Sequence, residues 1–184
     1  MNATDALERA HDNLLAVARN VTADDLALPS ACAEWDLRAL LNHVLGGGWM
    51  FTLVNRGESA GEDGGDLVGD DHVNSCVEMV AANQASWRAP DALEGDRSYP
   101  FGTFPAPMAL HINVGEIAVH TWDLAKATGQ DATIDPDVAE LLLGFYRSIP
   151  LDEFRAHGAF GVEVEVDAAA PPSDQVLALL GFRP

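Results

Sequence analysis

Three side chains of metal-ligating type stand out by their spacing: His43, Glu116 and His120. Glu116 and His120 are four residues apart, so on a helix they lie within ~40° of each other. They share a stripe with Ile117, Leu124, Ala109 and Ala127. His43 falls on the same helical face as Leu40, Gly47, Met50 and Val54 and is expected to point inward. A carboxylate on such a stripe demands a partner, because burying a polar group unpaired costs roughly 2–7 kcal/mol. Two imidazoles and one carboxylate suit Zn²⁺, Ni²⁺ or Fe²⁺. Three protein ligands also leave coordination positions open for water or substrate, which makes a site reactive rather than structural. Asp123, ~60° around the helix from His120, is placed to accept the free imidazole N–H. A plainer account also fits: His43 as a satisfied core histidine, and Glu116 with His120 as an ordinary helix-face ion pair. Glu153 and His157 repeat the same spacing in a segment that looks exposed. The pattern alone leaves both accounts open.

Other groupings carry less. His72 and Cys76 stand four apart, but no further Cys-His pair accompanies them, and Cys76 reads as core. Glu8-x-x-His11 is half of a di-iron carboxylate motif that needs a second such pair and two more glutamates, so His11 is assigned to the surface. His111 lies ~180° around its helix from His120 and should not join the same site. Asn113 and Asp123 line or flank the face of Glu116, each with a structural role as an equal alternative. Trp35, Tyr99 and Trp122 can wall a pocket or simply pack. No glycine-rich phosphate loop, H-E-x-x-H or G-x-S-x-G motif occurs.

The elements that must position these residues are helices. Apolar positions 7, 10, 14, 17 and 21 predict a first helix over 4–20, opened by Thr4 or Asp5. Asp36 caps a second helix over 37–54, with Trp35 before it as a hydrophobic staple on Leu40. The Gly46-Gly47-Gly48 run in that helix costs about 1 kcal/mol per glycine, which implies close helix packing. A polar, glycine-rich loop over 56–69 is expected to be mobile. A third helix follows from Asp70 to Arg88, then a short hairpin over 98–104. Pro107 opens a fourth helix reaching Thr128, and Asp135 with Pro136 opens a fifth that Pro150 stops. In the tail, Phe160, Val162, Val164 and Val166 alternate with polar or small residues as in a half-exposed strand, and Ser173 is set to cap a last helix over 174–180. Four long helices with moderate connections argue for an antiparallel bundle. The expected organisation is a helical bundle over residues 1–150 and a short αβ tail over 151–184 packed on it.

The chain has 184 residues, 29 acidic against 10 basic side chains and a net charge of −19. Its single lysine, Lys126, and nine scattered arginines offer no patch for phosphate neutralisation, which argues against nucleic-acid binding. The most apolar run, 44–54, is far shorter than the ~20 residues that cross a bilayer, and the charged start lacks a signal-peptide pattern. Two cysteines, Cys32 and Cys76, cannot build a disulfide framework, and reduced thiols fit the cytoplasmic protein expected here; a small-molecule substrate is expected only from the open positions of the metal reading.

Three stretches together carry a resemblance: PSACAEWDLRALLNHVLGG, GEIAVHTWDLAKATGQ and APPSDQVLALLGFRP. They resemble the actinobacterial metal-binding proteins of the mycothiol-dependent maleylpyruvate isomerase family, within the wider DinB-like four-helix bundles. The resemblance covers nearly the whole chain and implies an all-α, DinB-like four-helix bundle with an extra helix and a short strand-helix tail. It also implies a divalent metal, zinc in the isomerase with nickel as an alternative, held here by His43, Glu116 and His120. The thiol mycothiol is implied as cosubstrate, along with a metal-bound thiolate as nucleophile and a homodimer. The expected activity is that of a thiol-dependent isomerase or S-transferase; the alternative is a metal-binding or stress-response protein without turnover. The isomerase proper carries a second, C-terminal domain, and only about 35 residues follow the fifth helix here. Maleylpyruvate is therefore not the expected substrate, and Arg38 alone in the matched blocks offers itself to a dicarboxylate.

Overall fold

The computed structural model describes residues 1–32, 35–59 and 65–184. Residues 60–64 of the loop expected to be mobile lie outside the described set. The chain forms two compact units, Asn2–Ala132 and Thr133–Pro184, the latter grouped with Met1.

The first unit is built on four helices: α1 (Ala3–Ala18), α2 (Leu37–Asn55), α3 (His72–Trp87) and α4 (Ala106–Ala127). Their starts follow from local chemistry. Asp36 accepts the Ala39 N–H and opens α2 as expected, while Asp71 does the same for α3 through Asn74. At α1 the cap is Asn2, which accepts the Asp5 N–H, rather than Thr4 or Asp5. A short 3₁₀ turn, Asp25–Ala27, precedes α2.

Contacts between named atoms fix the helix directions. Arg88 pairs with Glu8 and His72 meets the Ala18 carbonyl, so α1 and α3 run antiparallel. Asn83 reaches Gly48 and Asn55 reaches Ser86, so α2 and α3 run parallel. The antiparallel bundle inferred from connection lengths is corrected here: α2 and α3 lie side by side in the same direction. Each of α1 and α2 packs on both α3 and α4. The core between them includes the fully buried Leu7, Leu14, Leu41, Phe51, Met79, Leu110 and Ile117. Each such side chain contributes roughly 1.5–3 kcal/mol through burial.

Two features anticipated locally take definite form. The hairpin of β1 (Asp96–Tyr99) and β2 (Gly102–Pro105) joins α3 to α4 in the register Arg97↔Phe104 and Ser98↔Thr103. Of the three consecutive glycines, only Gly48 is crowded: a Cβ there would lie 2.7 Å from Met79 Cγ, whereas Gly47 faces open space.

The second unit holds α5 (Pro136–Ser148), α6 (Leu151–Ala156) and α7 (Pro172–Leu179). Asp135 caps α5 as expected. The packing partner of α5 is α7, which groups the fifth helix with the tail rather than with residues 1–150. Among the described residues segment 160–166 forms no ladder with another strand. Two of its amides bond to the end of α7 instead, Gly161 to the Leu180 carbonyl and Val164 to the Ala178 carbonyl. Ser173 does not cap α7; its hydroxyl accepts the Ile134 N–H at 3.2 Å.

Candidate metal centre

α2 and α4 bring His43, Glu116 and His120 together. Glu116 Oε2 lies 3.1 Å from His43 Nε2 and 3.5 Å from His120 Nε2. One donor atom from each residue fits within 4.8 Å of the others. The imidazole rings stand edge to face with centroids 4.8 Å apart. The expectation that His43 points inward is corrected: its side chain is 41% exposed and that of Glu116 36%, while His120 is 12% exposed. The cluster therefore opens at the surface of the bundle from a buried base. The reason lies in α2 itself, whose deeply buried residues are Leu37, Leu40, Leu41, Val44, Leu45, Gly48 and Phe51. His43 sits beside that stripe, not on it.

Electrostatics in the cluster favour an ionised carboxylate. Burial acts to raise the Glu116 carboxyl, but hydrogen bonds and charge from His120 and His43 outweigh it and hold the group well below the ordinary carboxylate range. One anion facing two ring nitrogens is a donor set suited to a divalent cation of intermediate softness. A bound metal takes the lone pairs of the same nitrogens that otherwise hold protons toward Glu116, so protons and metal compete for them.

Asp123 departs from its expected place. Its carboxylate, 1% exposed, accepts the backbone N–H of Ala31 at 2.6 Å and of Cys32 at 3.3 Å. Among the described residues His120 Nδ1 is buried without a hydrogen-bond partner. The loop that Asp123 holds carries Trp35, whose ring lies 4.9 Å from that of His43 and 6.5 Å from that of His120. Trp35 thus meets both imidazoles of the cluster, in keeping with the pocket-wall reading of it. Burial pushes the Cys32 thiol up to about 12, with the charges of Asp123 and Glu116 adding to it, so this thiol stays protonated near the cluster.

The remaining candidates lie elsewhere. Asn113 is buried and accepts the Trp87 indole N–H at 2.9 Å. Tyr99 packs on Phe51 and stacks on Phe101. Lys126 sits 4.7 Å over the buried Trp122 ring. Arg38 is paired with Asp66 and donates to the Gly69 carbonyl at 3.0 Å. His72 is spent on the Ala18 carbonyl, and Cys76 is core, its thiol pushed up to about 11 by burial. His11 corrects its assignment to the surface: it is wholly buried, and among the described residues neither ring nitrogen has a hydrogen-bond partner.

The first unit is thus an all-α bundle of DinB-like fold whose second and fourth helices bring two histidines and one glutamate together at an open face. Residues 7–125 match the family described as the mycothiol maleylpyruvate isomerase N-terminal domain. The chain belongs to that family. Two uncharacterised proteins of Mycobacterium tuberculosis, from strains CDC 1551 / Oshkosh and ATCC 25618 / H37Rv, are each 31% identical over 189 residues, covering 96% of this chain and 95% of the relative. The crystal structure of the mycothiol-dependent maleylpyruvate isomerase is similar in fold, with a TM-score of 0.67, 20% identity and coverage of 91% of this chain and 77% of that one. Among the described residues no helix is long and apolar enough to cross a membrane.

Proposed function

We propose that this chain binds one divalent metal through His43, Glu116 and His120 and acts as a thiol-dependent isomerase or S-transferase. The observation that carries the reading is the convergence of two imidazole nitrogens and a carboxylate oxygen at an open face. Zinc suits the ligand set best and nickel next. When bound, such a metal lowers the pKa of a coordinated thiol, supplying a thiolate nucleophile at neutral pH. The family points to mycothiol as that thiol. The protein's own contribution is the fixed donor geometry, the anionic Glu116 and the indole of Trp35 alongside. A cytoplasmic homodimer is part of the same proposal. Maleylpyruvate is not proposed as substrate, because Arg38, the basic residue in the matched blocks that is suited to a dicarboxylate, is already engaged by Asp66.

Elemental analysis by plasma mass spectrometry, with the parent and Glu116→Ala prepared identically, tests the site. About one equivalent of zinc or nickel in the parent, and its loss in the variant, is the expected result. No metal in either after incubation with excess Zn²⁺ overturns the assignment. A metal-loaded protein that shows no thiol-requiring turnover, neither isomerisation of an activated cis double bond nor S-transfer to an electrophile, would favour the non-catalytic, stress-response alternative.

A further inference from the structure

The three consecutive glycines of α2 do not share one explanation. Glycine inside a helix is less favourable than alanine, so each of the three calls for a reason. Gly48 has one in Met79, which leaves no room for a Cβ. Gly46 faces Leu67, whose Cδ1 would lie 3.8 Å from a Cβ, an ordinary contact that alanine could make. Gly47 has no packing reason at all: among the described residues a Cβ there would meet nothing within 4 Å.

Its place on the helix supplies a different reason. Gly47 stands four residues after His43 and so lies one turn along the same face of α2. In an α-helix every Cα–Cβ bond tilts toward the N-terminus, and a side chain covers the turn before its own Cα. Any side chain at position 47 would therefore lean back over His43, which is 41% exposed and whose Nε2 is 3.1 Å from Glu116 Oε2. The glycine keeps the approach to the cluster along α2 clear. A metal held by three protein atoms takes its thiol at a remaining position, and whatever the sulfur is attached to has to lie beside the ligands.

We propose that Gly47 sets the size of thiol that the centre accepts: the space over its Cα receives the body of the metal-bound thiol, the part beyond the carbon that carries the sulfur. The inference deepens the metal and thiol reading above and rests on it. It assigns the site to large thiols, and it makes a single missing side chain the determinant.

The test uses the full chain loaded with Co²⁺ and titrated separately with mycothiol and with 2-mercaptoethanol, a thiol with almost no body. Sulfur-to-cobalt charge-transfer absorption reports each binding event. Gly47→Leu is expected to weaken mycothiol binding about tenfold and 2-mercaptoethanol binding by no more than about twofold, with the cobalt stoichiometry unchanged. Gly47→Ala adds one methyl group in open space, so it should weaken mycothiol by a smaller factor, about threefold, while its thermal midpoint rises. A more stable protein with a poorer grip on the large thiol is a combination that a purely structural role for Gly47 would not give. Should Gly47→Leu fail to fold, Gly47→Ala carries the test alone. A mycothiol constant unchanged in the variants overturns the proposal. Equal losses for the two thiols would mean that the new side chain closes off the metal itself, and they overturn the size selection. So does a parent that binds 2-mercaptoethanol but not mycothiol. A parent that takes up no cobalt defeats the metal reading instead, and one that gives no sulfur band with either thiol defeats the thiol reading.

Discussion

At the scale of single residues, His11 offers the clearest consequence of burial. Its ring is enclosed with no hydrogen-bond partner, and burial drives its pKa down from 6.5 to about 3. The folded state therefore holds it neutral where the unfolded chain would protonate it. Its contribution to stability is full above pH 6.5 and is lost progressively as the pH falls from there toward 3. Urea unfolding of the parent and of His11→Leu at pH 7.5 and 5.5 should show the parent losing about 1.4 kcal/mol more than the variant over that interval. Equal losses would mean that water or a neighbour satisfies the ring. His11 was legible in part: it is four residues after Leu7 and three before Leu14, both on the buried stripe of α1, yet its polarity and the nearby Glu8 suggested the surface. The cluster was legible in part: the closeness of Glu116 and His120 follows from helical spacing, whereas the inward face expected for His43 was not the one it takes. Asp123 was not legible, since its partners lie some ninety residues away on a loop whose path no local pattern dictates.

At the scale of elements, the glycine run in α2 divides into one required position and two free ones. Gly48 lies against Met79 and lends its carbonyl to both Asn83, at 2.9 Å, and Thr52, at 2.8 Å. Gly46→Ala and Gly47→Ala should each stabilise the protein by up to about 1 kcal/mol through helix propensity alone. Gly48→Ala should destabilise it by about 1–3 kcal/mol, because overpacking against the buried Met79 outweighs the gain in propensity. Thermal midpoints of the three variants check the split, and a stabilised Gly48→Ala would show that Met79 moves aside freely. The sequence marked the run as a packing device but could not say which glycine was needed, since the crowding comes from α3. Helix order and caps such as Asp36 and Asp135 were legible because they depend on neighbours a few residues away. The parallel course of α2 and α3, the grouping of α5 with α7 and the pairing of segment 160–166 with the end of α7 depend on distant partners and were misjudged or missed.

At the scale of the whole molecule, 29 acidic side chains against 10 basic ones set up self-repulsion that salt relieves. Raising ionic strength from 0.01 to 0.15 M shortens the Debye length from ~30 to ~8 Å. The thermal midpoint should accordingly rise by roughly 3 °C or more. A midpoint indifferent to salt would mean that local pairing already compensates the excess. The same field concentrates cations at the surface, so the association rate of Co²⁺ with the His43, Glu116 and His120 cluster should fall as salt is added. The stem that closes the 28–37 loop, made by Leu28, Pro29, Asp36 and Leu37, uses backbone atoms almost entirely. Ala31 and Cys32 bond to Asp123 of α4 through their backbone amides, so the side chains at these two positions can be exchanged while the Asp123 carboxylate keeps both of its hydrogen bonds. Such a stem is a graft point: composition can change between two backbone anchors without disturbing the helices they join.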